Sequence, residues 1–83
     1  MRKIELNSIY RHFKGNYYLV KEIALSSETL EEYVVYQALY GERKIYIRKL
    51  DMFLEPIDVN REDNITKQTY RFEIADFDKE NEK

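Results

Sequence analysis

The stretch from Tyr10 to Tyr40 restricts this chain's fold more than any other part of it. It runs Tyr-Arg-His-Phe, Lys-Gly-Asn, Tyr-Tyr-Leu-Val and later Tyr-Val-Val-Tyr-Gln-Ala-Leu-Tyr, in a chain otherwise dominated by charge. Aromatic and β-branched residues fit a pleated, half-buried surface, so the stretch predicts strands. Gly15-Asn16 separates two of these runs, and both residue types tolerate positive φ, which predicts an antiparallel hairpin. Beyond it, Tyr18 and Val20 share a face, Glu22 breaks the alternation and Ile23 takes the apolar role. That change of parity predicts a β-bulge near Lys21-Glu22 and a bent strand.

Residues 26 to 32 contain Thr29-x-x-Glu32, formally a helix capping box. The residues that follow, Tyr33-Val34-Val35-Tyr36, form helices poorly and strands well, so the segment predicts a polar loop. Residues 33 to 40 are apolar on both faces apart from Gln37, the pattern of a central strand. After a turn at Gly41-Glu42-Arg43, Lys44-Ile45-Tyr46-Ile47-Arg48 alternates, and the expectation is that Ile45 and Ile47 face inward while Tyr46 and Arg48 face outward. With Glu42 and Arg43 as the loop residues, Tyr40 would face Ile45, Ala38 would face Ile47, and Gln37 would face Arg48 as a hydrogen-bonded cross-strand pair. Residues 50 to 54 lack alternation and end before Pro56, predicting a short helical turn that seats Phe53 or Leu54 in the core. A polar turn cluster, Asn60-Arg61-Glu62-Asp63-Asn64, precedes a closing strand at Tyr70-Arg71-Phe72-Glu73-Ile74.

A chain of 83 residues accommodates one domain, and with no Cys or Trp it must rely on hydrophobic burial without disulfides or thiolate zinc. The expected organisation is an N-terminal segment over residues 1–9, a β-barrel domain over residues 10–75 and a flexible acidic tail over residues 76–83. The start, Met1-Arg2-Lys3-Ile4-Glu5, lacks the apolar run of an export signal, and no segment is apolar enough to span a bilayer. A cytoplasmic protein without membrane association is therefore expected. The net charge of -2 lacks the strongly basic footprint of a dedicated nucleic-acid binder. Its distribution is uneven: residues 1–50 hold nine Lys or Arg against six Glu (+3), and residues 51–83 hold five against ten acidic residues (-5).

Several blocks of the sequence resemble a small bacterial family of uncharacterised proteins, domain of unknown function 1653. They are Tyr10-Arg11-His12-Phe13-Lys14-Gly15-Asn16, Ser27-Glu28-Thr29-Leu30-Glu31, Val35-Tyr36-Gln37-Ala38-Leu39-Tyr40-Gly41, Arg48 with Met52-Phe53, and Arg71-Phe72. The blocks keep one order and spacing over roughly residues 10 to 74. The chain departs from the family pattern at Tyr46, where the family prefers Trp, at Lys49, where it prefers Pro, and in a longer loop before Arg71. The resemblance implies an all-β, SH3-like antiparallel barrel of about five strands with a short helical turn near residues 50–54. It implies no reaction, and fold alone would not supply one.

The residues themselves offer little catalytic chemistry. His12, the single histidine, lacks the converging ligands of a metal site, and a strand histidine more simply bonds backbone. Ser26 and Ser27 lack a nucleophile elbow. Glu28, Glu31 and Glu32 sit in a solvated loop where little would perturb their ionisation. Asn64-Ile65-Thr66 matches a glycosylation sequon that has no meaning in the cytoplasm. No cofactor and no metal are expected.

What remains is a surface. With the isoleucines inward, Val35, Gln37, Leu39, Tyr46 and Arg48 share the outer face, which is either a recognition surface or a second small core under the N-terminal segment or the 57–68 loop. The tyrosines divide accordingly, with Tyr18, Tyr36, Tyr40 and Tyr70 inside and Tyr10, Tyr17, Tyr33 and Tyr46 outside. The binding set is His12, Gln37, Leu39, Tyr46 and Arg48, on a non-catalytic module for a protein or peptide partner. A lesser variant is a small-molecule pocket lined by His12, Tyr36 and Arg48. The alternatives are an enzyme or enzyme accessory whose site forms between subunits from His12 and the Glu28 loop, and an RNA or single-stranded DNA binder.

Overall fold

The computed structural model describes residues 2–77, which form β1 (Ser8–His12), β2 (Tyr17–Leu25), β3 (Glu32–Ala38), β4 (Ile45–Lys49), α1 (Leu50–Phe53) and β5 (Phe72–Ile74). All five strands lie in one antiparallel sheet of order β4-β3-β2-β1-β5. This is the expected mostly-β architecture with one short helix. β4 and β5 are its two edges.

The β1–β2 turn closes where Gly-Asn placed it. His12 N–H donates to the Asn16 carbonyl at 2.9 Å and Gly15 N–H to the His12 carbonyl at 2.8 Å, with Gly15 at φ +107. The bulge also falls where parity slipped: β2 pairs Val20 with Tyr36 and Glu22 with Val35, leaving Lys21 as the extra residue. Ile23 therefore returns to the core side, opposite Val34. The segment after β2 is a turn and not a helix. Ser26 Oγ accepts from the N–H groups of Glu28 and Thr29, and Leu30 takes φ +61.

The core is largely aromatic: Tyr10, Val20, Val34, Tyr36, Phe53 and Phe72 form one buried cluster. α1 does what its lack of alternation implied, since Phe53 is fully buried and stacks on Phe72 with centroids 4.0 Å apart and planes at 4°. Tyr10 and Tyr36 meet Phe53 edge-on at 5.4 and 5.3 Å. Tyr10, expected outside, lies at the centre, its hydroxyl accepting from the Glu5 N–H at 3.0 Å. Tyr40, expected inside, is half-exposed. Arg2 ties the N-terminal segment to the body through the Leu54 and Phe72 carbonyls at 3.0 and 2.7 Å.

The polar loop before β5 is organised by a buried side chain. Asn64 is 1% exposed; its amide donates to the Asp58 and Gln68 carbonyls at 3.1 and 2.9 Å, and its oxygen accepts from Gln68 N–H at 3.0 Å. The loop lies over the β1–β2 turn, where Phe13 is buried and its carbonyl accepts from the Ile65 N–H at 3.0 Å. Most of the expected acidic tail, residues 78–83, lies outside the described residues. Among the described residues no helix is long and apolar enough to cross a membrane.

One expectation is corrected. β3 pairs with β4 so that Gln37 faces Ile45, Tyr36 faces Tyr46, Val35 faces Ile47 and Val34 faces Arg48. This register is displaced by three residues from the one with a loop of Glu42 and Arg43. The connection instead runs from Leu39 to Lys44, with Gly41 and Arg43 both at φ +56. An odd displacement exchanges the two faces of a strand. Tyr46 and Arg48 therefore lie on the core side, while Ile45 and Ile47 are 56% and 64% exposed. The expected Gln37–Arg48 pair does not form. On that side the Tyr46 ring lies against Tyr36 and Arg48 bonds the Tyr36 hydroxyl, so apolar bodies pack while polar tips stay at the surface.

Candidate functional site: an aromatic row beside Arg48

The exchange of faces assembles a site on the core side of the sheet. Tyr40, Tyr18, Tyr36 and Tyr46 form a row, each ring against the next at 5.6, 5.4 and 5.9 Å. Strand pairing produces this order, because Tyr18 on β2 faces Ala38 and Tyr46 on β4 faces Tyr36. The middle of the row is buried, with Tyr36 at 5% exposure, and its ends are open, with Tyr40 and Tyr46 at 42% and 43%. The Tyr18 and Tyr40 hydroxyls share a hydrogen bond of 2.7 Å. Burial, then that bond, pushes the Tyr18 phenol up, so it stays protonated and neutral.

His12 and Arg48 flank the row. The His12 ring packs against Phe13 and Phe72 at 4.2 and 4.8 Å and reaches Tyr18 at 6.4 Å. Its Nδ1 accepts from the Lys14 N–H at 3.0 Å, which places the proton of the neutral ring on Nε2. Burial, followed by the positive charges of Arg71, Arg48 and Lys14, lowers its pKa to about 4. Arg48 Nε donates to the Tyr36 hydroxyl at 3.3 Å, and the guanidinium lies 5.8 Å from the Phe72 centroid. Other cations here have acidic partners: Arg71 holds Glu55 at 2.5 Å, Lys14 lies 3.7 Å from Asp63, and Lys49 holds Glu31 at 3.0 Å. Among the described residues Arg48 makes no ion pair.

Of the expected binding set, His12, Tyr46 and Arg48 come together and Gln37 and Leu39 do not. Gln37 lies on the opposite face, where its amide donates to the Arg43 carbonyl at 2.9 Å and accepts from Lys21 at 3.0 Å. Leu39 follows the end of β3, half-buried, its N–H on the Tyr17 carbonyl at 3.0 Å. Of the trio His12, Tyr36 and Arg48, expected as a small-molecule pocket, Arg48 bonds the Tyr36 hydroxyl and His12 reaches the row through Tyr18. Tyr18, Tyr40 and Phe72 belong to the site as well; the sequence pattern put Tyr18 and Tyr40 inside, but only the register set them in one row with Tyr46. His12 lies at the β2 end where Tyr17 begins, and the Glu28 loop follows the far end at Leu25.

Among the described residues no group of His, Cys, Asp or Glu is placed to hold a metal ion. A cleft of about 700 Å³ lies elsewhere, between the N-terminal segment and α1, lined by Ile4, Leu50, Leu54 and Tyr70 with Arg2 at its rim. Lys3 and Asp51 complete its lining.

Comparison with known proteins agrees with this fold. No curated protein matches the chain. A crystal structure of a DUF1653 protein from Bordetella bronchiseptica is similar, with a TM-score of 0.69 and 30% sequence identity over 86% of this chain and 87% of that one. The model of the family described as "protein of unknown function (DUF1653)" matches residues 8–74. The chain belongs to the DUF1653 family.

Proposed function

We propose that this protein is a non-catalytic, cytoplasmic recognition module that holds an extended segment of a partner protein across the tyrosine row. The observation that carries the reading is the pairing of a partly open aromatic row with Arg48, a cation that has no acidic partner among the described residues. Rigid rings supply contact area at low entropic cost, and a guanidinium supplies directed donors for a carboxylate. Apolar or proline rings of the segment would lie between Tyr40 and Tyr46, with an Asp or Glu on Arg48. His12 supports a binding role over acid-base chemistry, because a pKa of about 4 leaves it a weak base at neutral pH.

Selection of a displayed random-peptide library on the intact protein tests this. Enriched peptides should carry an acidic residue near aromatic or proline residues. Their affinity should fall at least tenfold in Tyr46→Ala and Arg48→Gln and stay unchanged in Leu25→Ser, an exposed position at the far end of β2. Failure to enrich any peptide, or equal affinity in the three variants, overturns the reading.

The positive surroundings of His12 favour a second reading, in which bases of a single nucleic-acid strand stack on the same row. A labelled oligo-dT would then bind with affinity that falls steeply with salt, and salt-independent or absent binding excludes it.

A further inference from the structure

The two edges of the sheet differ. β5 is a three-residue strand, whereas β4 is a five-residue strand with no bulge, no proline and two isoleucines exposed. Natural sheets usually protect such an edge, and β4 is guarded only by charges near its ends. Among the described residues nothing pairs with its outer side. The pairing with β3 sets which groups face that side. Ala38 N–H donates to the Lys44 carbonyl, so by alternation Tyr46 and Arg48 bond to β3, while Ile45, Ile47 and Lys49 turn their N–H groups outward. The Ile45 and Ile47 carbonyls point the same way.

We infer that this edge pairs with the same edge of a second copy of the chain, joining two sheets antiparallel across a two-fold axis centred on Ile47. The edge is complementary to itself, as an isologous contact requires. Centred on Ile47, each Ile47 faces the other, each Ile45 faces the aliphatic stem of Lys49, and each Arg48 faces Tyr46 of the second copy. Four backbone hydrogen bonds form from Ile47 to Ile47 and from Lys49 N–H to the Ile45 carbonyl. Arg48, which makes no ion pair among the described residues, gains a tyrosine face. Registers centred one residue to either side are disfavoured. Centred on Tyr46, Lys44 meets Arg48; centred on Arg48, the two guanidiniums meet. The register sets Tyr46 and Arg48, the two residues the peptide-binding reading also uses, opposite each other across the seam and brings two rows onto one continuous sheet; it is tested at Ile45 and Ile47, on the other face, so its failure leaves that reading standing.

Because the chain has no cysteine, single-cysteine variants read the register directly. In the Ile47-centred register the Ile47 Cα atoms lie about 5.5 Å apart, within disulfide reach, whereas the Ile45 Cα atoms lie four residues out of step, on the order of 13 Å. With oxidised glutathione as oxidant, Ile47→Cys should give a covalent dimer and Ile45→Cys should not. Light scattering of the wild-type chain over rising concentration should approach twice 10.2 kDa, and Ile47→Lys should weaken association at least tenfold. Both isoleucines are exposed, so these variants leave the monomer's packing intact, which circular dichroism checks. A mass of 10.2 kDa throughout, crosslinking through Ile45→Cys but not Ile47→Cys, or an Ile47→Lys variant that associates like wild type overturns the inference.

Discussion

Phe53 and its neighbour Met52 mark the buried and exposed sides of α1. Phe53 is fully buried, stacked on Phe72 at 4.0 Å and met edge-on by Tyr10 and Tyr36. Met52, one position earlier on the same turn, is 41% exposed. Truncating a buried Phe to Ala costs about 3–5 kcal/mol through lost transfer energy and the cavity left behind. A domain of this length has a stability of only about 4–12 kcal/mol, so Phe53→Ala risks unfolding the protein outright. Phe53→Leu is the better probe. It keeps most of the volume but forfeits the stack and both edge contacts, each worth about 0.5–1.5 kcal/mol, part of which the leucine's own contacts recover, so a net loss of about 1–3 kcal/mol is expected. With a urea m-value of about 1 kcal/mol/M, the midpoint should fall by about 1–3 M at unchanged slope, while Met52→Ala should stay within about 0.5 M. Urea titration followed by far-ultraviolet circular dichroism reads both. Comparable shifts for the two variants would refute the claim that this turn exists to seat Phe53.

Asn64→Ala should cost about 2 kcal/mol by leaving the buried Gln68 N–H and carbonyl, and the Asp58 carbonyl, without their partner, read as a fall in thermal midpoint. Gly15→Ala should cost about 1–3 kcal/mol although nothing lies within 4 Å of the added methyl, because φ +107 is strained for any L side chain. The His12 imidazole should titrate near 4 by proton NMR, and a midpoint near 6.5 would contradict its burial. Its folded pKa lies below the unfolded value, so the unfolded state binds the proton more readily. Stability from His12 is therefore full above about pH 6.5 and declines as pH falls towards 4, a loss of about 1 kcal/mol at pH 4.5 after discounting for partial solvation, and one that His12→Asn removes.

Local chemistry was legible in the sequence wherever it was self-contained. Gly15-Asn16 marked the first hairpin, the break at Glu22 marked the bulge, and the unpatterned Leu50–Phe53 segment marked the helical turn. The β3–β4 connection was not self-contained. Gly41-Glu42-Arg43 suggested a tight turn, and the structure uses six residues from Leu39 to Lys44, which moved the register by an odd number and exchanged the faces of β4. Hydrophobicity misled in the same place, since Ile45 and Ile47 are more apolar than Tyr46 and Arg48 yet lie outside. The site was therefore half legible: His12, Tyr46 and Arg48 were singled out, whereas Gln37 and Leu39 were tied to them only through the wrong parity. Asn64 escaped for a related reason, because a polar turn cluster does not reveal which member turns inward.

The direction in which β4 faces decides whether the aromatic row exists, and cross-strand nuclear Overhauser contacts test it most directly. Residues opposite each other without mutual hydrogen bonds bring their Hα atoms close. The register here predicts strong Hα–Hα contacts for Gln37 with Ile45 and for Val35 with Ile47, together with contacts from the Tyr46 ring to Tyr36. Contacts from the Ile45 and Ile47 methyls to Phe53 and Phe72, with Tyr46 free of Tyr36, would contradict it and dissolve the aromatic row.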